Sequence, residues 1–255
     1  MKHLHYRLAC GRKWTLPAVI FFCLLLGPTQ ALRAQQNRWG SWGILTVQLP
    51  GGPKGWGGFA EAQVRMVGVL RDFNYYEYKG GISYDISKNF TVLLGVGRYT
   101  TYQVDEYDSP LTRETRLWQQ LTQSQNIGRL KFEHRYRVEQ RWLTHRDRDE
   151  YRNRIRYRLN LQIPLNNEEI EAKTWFVSTY NEIFLNPNLQ PFERNRLYAG
   201  LGYELSPEWI LQAGWLNQYD YSPGTPRHKN NLVLTAVFRI PRSHTGILRL
   251  PTPFD

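Results

Sequence analysis

The sequence predicts an all-β protein: an antiparallel transmembrane outer-membrane β-barrel of about 10–12 strands. Three observations carry this. Period-two alternation of apolar and polar residues recurs along most of residues 35–240, which is the pattern of a strand with two unlike faces. Many alternating runs approach a dozen residues, whereas strands of soluble proteins are typically about 5–6 long and membrane-crossing ones need about 9–11. The chain also opens with a leader suited to export. Mean hydropathy is negative, −0.56, and no clean apolar run of about 18 residues occurs, which excludes a bundle of membrane helices.

The leader is read first. Lys2, Arg7, Arg12 and Lys13 make a basic start, Trp14 to Leu26 is apolar, Gly27-Pro28 breaks the run, and small residues follow at Ala31 and Ala34. Basic, apolar and small in that order is a secretory signal peptide, with cleavage expected after Ala34 or Ala31. The competing reading is an uncleaved anchor, but the apolar run is short for a span and holds Pro17. The expected layout is therefore a removed leader over 1–34, a barrel over 35–240 and a C-terminal tail over 241–255. The whole chain carries 33 Lys+Arg against 22 Asp+Glu, a net +11. Loss of Lys2, Arg7, Arg12, Lys13 and Arg33 leaves 28 against 22, or +6. Cys10 and Cys23 leave too, so the mature chain has no disulfide. The basic pI of about 9.7 invites a nucleic-acid partner, but export argues against one.

Candidate strands run near 39–49, 57–68, 74–86, 90–102, 113–122, 132–142, 151–161, 173–185, 194–206, 208–219 and 230–240. That makes eleven. Single-chain bacterial barrels have even numbers, which favours a twelfth strand over ten. Aromatics mark strand ends, as interfacial girdles do: Trp56, Tyr84, Phe90, Tyr102, Trp142, Tyr151, Phe184, Tyr203, Trp209 and Tyr219. Tight turns fall at Ser87-Lys88-Asn89 and Ser206-Pro207. Longer loops fall at 103–112, 186–193 and 220–229. With the tight turns in the periplasm, all three long loops face outside, and the connection from Pro164 to Glu171 lies on the periplasmic side. A lipocalin-like soluble barrel shares the alternation with its faces reversed; strand length, end-placed aromatics and the leader favour the membrane.

The sharpest chemical feature is a charged ladder. Glu133, Arg135, Arg137, Glu139 and Arg141 share one strand face, opposite Phe132, His134, Tyr136, Val138, Gln140 and Trp142. Arg152, Arg154, Arg156 and Arg158 repeat the pattern on the next strand. A hairpin closed near 143–150 pairs Arg141 with Arg152, Glu139 with Arg154, Arg137 with Arg156 and Arg135 with Arg158. Most facing pairs are like-charged, so acids from other strands must intervene. Glu182, Glu204, Glu61 and Glu77 are the candidates, with Arg194 and Arg196 adding to the basic side. Such charges belong in the lumen, because on the lipid face they cost about 2–4 kcal/mol each at mid-membrane. The first expectation is a lumen packed by an Arg/Glu network, in a structural or passive protein. The alternative is an anion-selective or small-solute channel. Arg146, Arg148, Arg227 and Lys229 on the loops offer phosphate contacts to surface lipid, though simple solvation accounts for them better.

Four motifs, Phe132–Trp142, Arg152-x-Arg-x-Arg-x-Arg158, Asn181–Asn186 and Phe192-x-x-Asn-Arg-Leu-Tyr-x-Gly-Leu-Gly-Tyr203, resemble an outer-membrane barrel family of Bacteroidota known as domain of unknown function 2490. The resemblance spans roughly residues 38–240. It implies an exported outer-membrane barrel, and it implies no catalytic residue. The chain departs from the pattern in its tail beyond Pro241, since such barrels usually finish on an aromatic of the last strand. The expected partners are outer-membrane lipid and the barrel-assembly machinery.

Enzyme readings are weak. A membrane-embedded lipid hydrolase or acyltransferase needs a Ser–His pair on the wall, and His134 has no Ser on its own strand; Ser178 and Ser83 are distant in sequence. His145 with Asp147, Asp149 and Glu150 lacks the spacing of a cation loop. No catalytic, cofactor-binding or metal-ligating residue is expected.

Overall fold

The computed structural model describes residues 39–241, apart from 53, 189 and 190. The expected leader and nearly all of the C-terminal tail lie outside the described residues. Eleven strands form among the described residues: β1 (Gly40–Leu49), β2 (Trp56–Gly68), β3 (Arg71–Asp85), β4 (Phe90–Thr101), β5 (Thr112–Ile127), β6 (Leu130–His145), β7 (Asp149–Pro164), β8 (Thr174–Leu185), β9 (Phe192–Glu204), β10 (Trp209–Asp220) and β11 (Arg227–Arg239). Each pairs with the next in antiparallel register, and β1 closes the barrel against β11 in parallel.

That closure corrects the expectation of a twelfth strand. An odd number of up-and-down strands leaves the first and last running the same way, so only a parallel seam can close the ring. The seam is regular, from Gly40 opposite Asn231 to Gln48 opposite Arg239. It also sends the barrel's two ends to opposite rims. Gly40 starts at the rim carrying the connections 102–111, 146–148, 186–191 and 221–226, and Arg239 finishes at the other.

The β6–β7 register matches the ladder read from the sequence, Arg141 opposite Arg152 through Arg135 opposite Arg158. Period two dictates this: a slip by one residue would carry every guanidinium to the outer wall. The hairpin closes through the His145 amide donating to the Arg148 carbonyl, 2.8 Å. β5 and β6 meet at a two-residue turn in which Gly128 takes φ +56°, a conformation cheap for glycine. A bulge breaks the β8–β9 register. Phe184 faces Arg194 and Leu185 faces Phe192, leaving Glu193 as the extra residue.

The two faces of the wall differ in kind. Val92, Leu94, Val96, Val138, Ile155, Leu159, Leu197, Leu211 and Leu234 point outward and are exposed. Paired aromatics bound this apolar belt. Trp56–Tyr84, Trp175–Tyr203 and Trp209–Phe238 stand at the tight-turn end, with ring centroids 5.1, 4.6 and 5.0 Å apart. Tyr76–Tyr78, Trp142–Tyr151 and Phe192–Tyr219 stand at the other, at 6.5, 5.5 and 6.1 Å. On β3, Tyr84 to Tyr76 covers roughly 27 Å of strand, or roughly 20 Å along the axis at a ~40° tilt. The lipocalin-like arrangement, with its polar face outward, is the reverse of this.

Candidate functional site

The interior is the candidate site. The predicted residues Glu133, Arg135, Arg137, Glu139, Arg141, Arg154, Arg156, Arg158, Glu182 and Arg196 are all buried within it, while Arg152 and Arg194 are half-buried. Like charges do face one another on β6 and β7, and carboxylates separate them.

Glu182 on β8 is fully buried. It accepts from Arg135 Nη2 (2.6 Å), Arg156 Nε (2.9 Å) and Arg158 Nη2 (2.8 Å). Arg156 also donates to Glu139 at 2.8 Å, and Arg154 donates to Glu139 at 2.8 Å. Arg154 reaches on to Glu193 at 3.1 Å, Glu193 lies 3.6 Å from Arg141, and Arg141 donates to Glu114 at 2.6 Å. Arg116 completes the run by a short bond to Glu114. One continuous network thus crosses five strands. Arg137 joins it, its Nη1 3.5 Å from Glu139, with both Nε and Nη2 donating to Gln120 Oε1 at 2.9 and 2.7 Å. The other predicted acids form separate groups: Glu61 and Glu77 hold Lys79 at 2.8 and 2.6 Å, and Glu204 accepts from Arg239 at 3.0 Å.

Aromatic rings complete the filling. Arg65 lies between Tyr75 and Trp42, its Cζ 4.3 and 3.9 Å from the ring centroids. Arg196 lies 4.9 Å from Trp42 and 4.9 Å from Phe184, and Arg156 lies 4.5 Å from Phe184. This alternation of ring and guanidinium joins β3, β2 and β1 to β9, β8 and β7 across the interior, each contact contributing about 0.5–2 kcal/mol. Phe184 is thus not part of the outer girdle, where its place near a strand end had put it; it is buried inside. Apolar clusters occupy the remaining wall: Trp42, Ile44, Tyr180, Tyr198, Leu216 and Val233 in one, and Phe59, Leu93 and Trp118 in another. At the tight-turn mouth the 165–173 connection folds over, with Ile170 against Phe176, Ile210 and Val237. Arg129 fastens it by donating to the Asn167 carbonyl at 2.6 Å.

Sequence reasoning missed Glu114, Arg116, Glu193, Arg239 and the inner aromatics. Glu114-x-Arg116-x-Trp118 does alternate visibly on β5. Glu193 does not, because the bulge re-aims it. Among the described residues, ten buried cations stand with seven buried carboxylates.

The enzyme candidates are not brought together. His134 Nδ1 lies 2.9 Å from the Tyr157 hydroxyl on the outer wall. Ser178 is buried inside, donating to Asn160 at 3.3 Å. Among the described residues no His, Cys, Asp and Glu cluster is arranged to hold a metal ion. Of the loop cations, Arg146 pairs with Glu106 at 3.1 Å and Arg148 lies 4.0 Å from Asp147.

Fold and interior together define a closed β-barrel with charged side chains inside and apolar side chains outside. The chain belongs to the family described as protein of unknown function (DUF2490), whose model matches residues 39–229. No curated protein and no solved structure matches it.

Proposed function

We propose that the protein is exported, loses residues 1–34, is inserted into the outer membrane by the barrel-assembly machinery, and serves there as a sealed barrel. It acts through its outer wall and long loops rather than by conducting solutes. The observation that supports this reading best is the division of faces. An apolar belt edged by two aromatic girdles surrounds an interior of buried ion pairs, which suits a hydrocarbon surround. A conducting lumen needs a water-filled path, whereas Arg135, Arg137, Arg154, Arg156 and Arg158 have almost no exposed surface. The long-loop end faces outside and the tight turns face the periplasm.

Membrane fractionation with heat-modifiable gel mobility tests the location. The expected result is an outer-membrane band that migrates differently unheated and boiled. Recovery in the aqueous periplasmic fraction without detergent would sink the reading. Parity adds a second test. On intact cells a membrane-impermeant maleimide should label Trp39→Cys and spare Pro241→Cys; equal labelling of the two overturns either the parallel closure or the orientation.

A further inference from the structure

The outer wall carries two guanidiniums near the long-loop end. Arg98 sits on β4, three residues before its end at Thr101, opposite Tyr78 on β3 and Thr115 on β5. Gly97 and Tyr99 beside it are buried on the inner face, so Arg98 points out. Arg113 on β5 is exposed and faces Thr100, which makes it the diagonal neighbour of Arg98, about 7–8 Å away. Among the described residues Arg98 donates to the Thr115 hydroxyl at 2.7 Å, and neither guanidinium has a carboxylate partner. The inner-face arginines of the same strands differ: Arg116 is held by Glu114.

Two features beside the pair point to the kind of anion it suits. Tyr76 stacks on Tyr78 at 6.5 Å and on Tyr102 at 6.1 Å, an aromatic patch at the height where headgroups meet hydrocarbon. Toward the middle of the wall, Leu45, Val47, Ala60, Ala62, Tyr78 and Val96 line an open apolar hollow of about 550 Å³, and Arg98 stands at its lip. The hollow exists because small side chains at Ala60 and Ala62 sit between larger ones. A cation pair over an apolar hollow matches a phosphate joined to an acyl chain.

We propose that Arg98 and Arg113 bind the phosphate of an outer-leaflet phosphorylated glucosamine lipid (lipid A), with one acyl chain in the hollow. This rests on the outer-membrane reading and on the long loops facing outside.

The test is native mass spectrometry of detergent-purified mature protein with added lipid A or phosphatidylglycerol. Arg98→Gln/Arg113→Gln is compared with the loop control Lys88→Gln/Lys173→Gln, exposed residues at the tight-turn end, which removes equal charge. Lipid A should bind the native barrel and the loop control alike. It should bind the wall variant roughly tenfold or more weakly, as loss of charge-assisted bonds implies. Heat-modifiable mobility of the variant confirms that it has folded. Equal lipid A binding by native protein and wall variant overturns the site. Phosphatidylglycerol binding as tightly, with the same dependence on Arg98 and Arg113, overturns the choice of lipid. Failure of the native protein to float with vesicles overturns the membrane reading and this inference with it; a floating barrel indifferent to Arg98 and Arg113 overturns the inference alone.

Discussion

Replacing Glu182 by Ala is expected to destabilise the folded barrel by about 3–5 kcal/mol, the cost of leaving buried charge uncompensated. Glu182 is fully buried and takes bonds from three guanidiniums on two strands. Without it Arg135 and Arg158, direct cross-strand partners, lose the buried carboxylate to which both donate. Urea unfolding in lipid vesicles, followed by tryptophan fluorescence, measures the loss. Glu182→Gln keeps an acceptor and should lose less. Arg158→Met added to Glu182→Ala should restore part of the stability, because it removes one of the stranded charges. A loss under about 1 kcal/mol for Glu182→Ala, the range of surface pairs, contradicts the buried network.

Trp118→Ala should cost a similar amount, about 3–5 kcal/mol. Trp118 has no exposed surface, and it lies with its centroid 6.4 Å from Phe59 and 5.0 Å from the Arg137 Cζ. Its cross-strand partner is Gly95. A Cβ at Gly95 would come within 2.3 Å of the indole, so the ring lies over the glycine backbone because no side chain stands there. Gly95→Val alone should therefore destabilise by overpacking, about 1–3 kcal/mol. Combined with Trp118→Ala, the valine occupies vacated space, and the double variant should lose less than the sum of the two single ones. Strict additivity would show that the two positions do not share a packing site.

Much of this architecture was legible in the sequence, for a simple reason. A strand with an apolar outer face and a charged inner face must alternate at every residue. The pattern therefore locates β6 and β7, sets their faces and, through the short hairpin, sets the pairing of Arg141 with Arg152 and Arg137 with Arg156. Even the acid that relieves the ladder, Glu182, was readable from its strand face. What stayed hidden depends on contacts remote in sequence or on local breaks of the period. The parallel meeting of β1 and β11 leaves no mark on either strand alone. The bulge before Arg194 turns Glu193 inward against the alternation. Phe184 reads as an end-of-strand girdle residue, yet it stands two residues after Glu182 on the same inner face, where Arg154, Arg156 and Arg196 from neighbouring strands surround its ring. An interior of pure charge was also too simple an expectation. Trp42, Tyr180 and Tyr198 share the interior with the ladder, and Arg158 lies 4.1 Å from the Tyr180 ring; Tyr180 and Tyr198 stand two residues from Glu182 and Arg196 on the same strand faces.

Single-channel recording of the purified barrel in planar bilayers tests the sealed interior most directly. Insertion is verified separately by flotation and heat-modifiable mobility of the same preparation. The buried network, the ring–guanidinium stack and the folded 165–173 connection predict many insertions with no conductance steps. Discrete steps, above all anion-selective ones in keeping with ten buried cations to seven carboxylates among the described residues, would contradict the sealed barrel and make the lumen a pore.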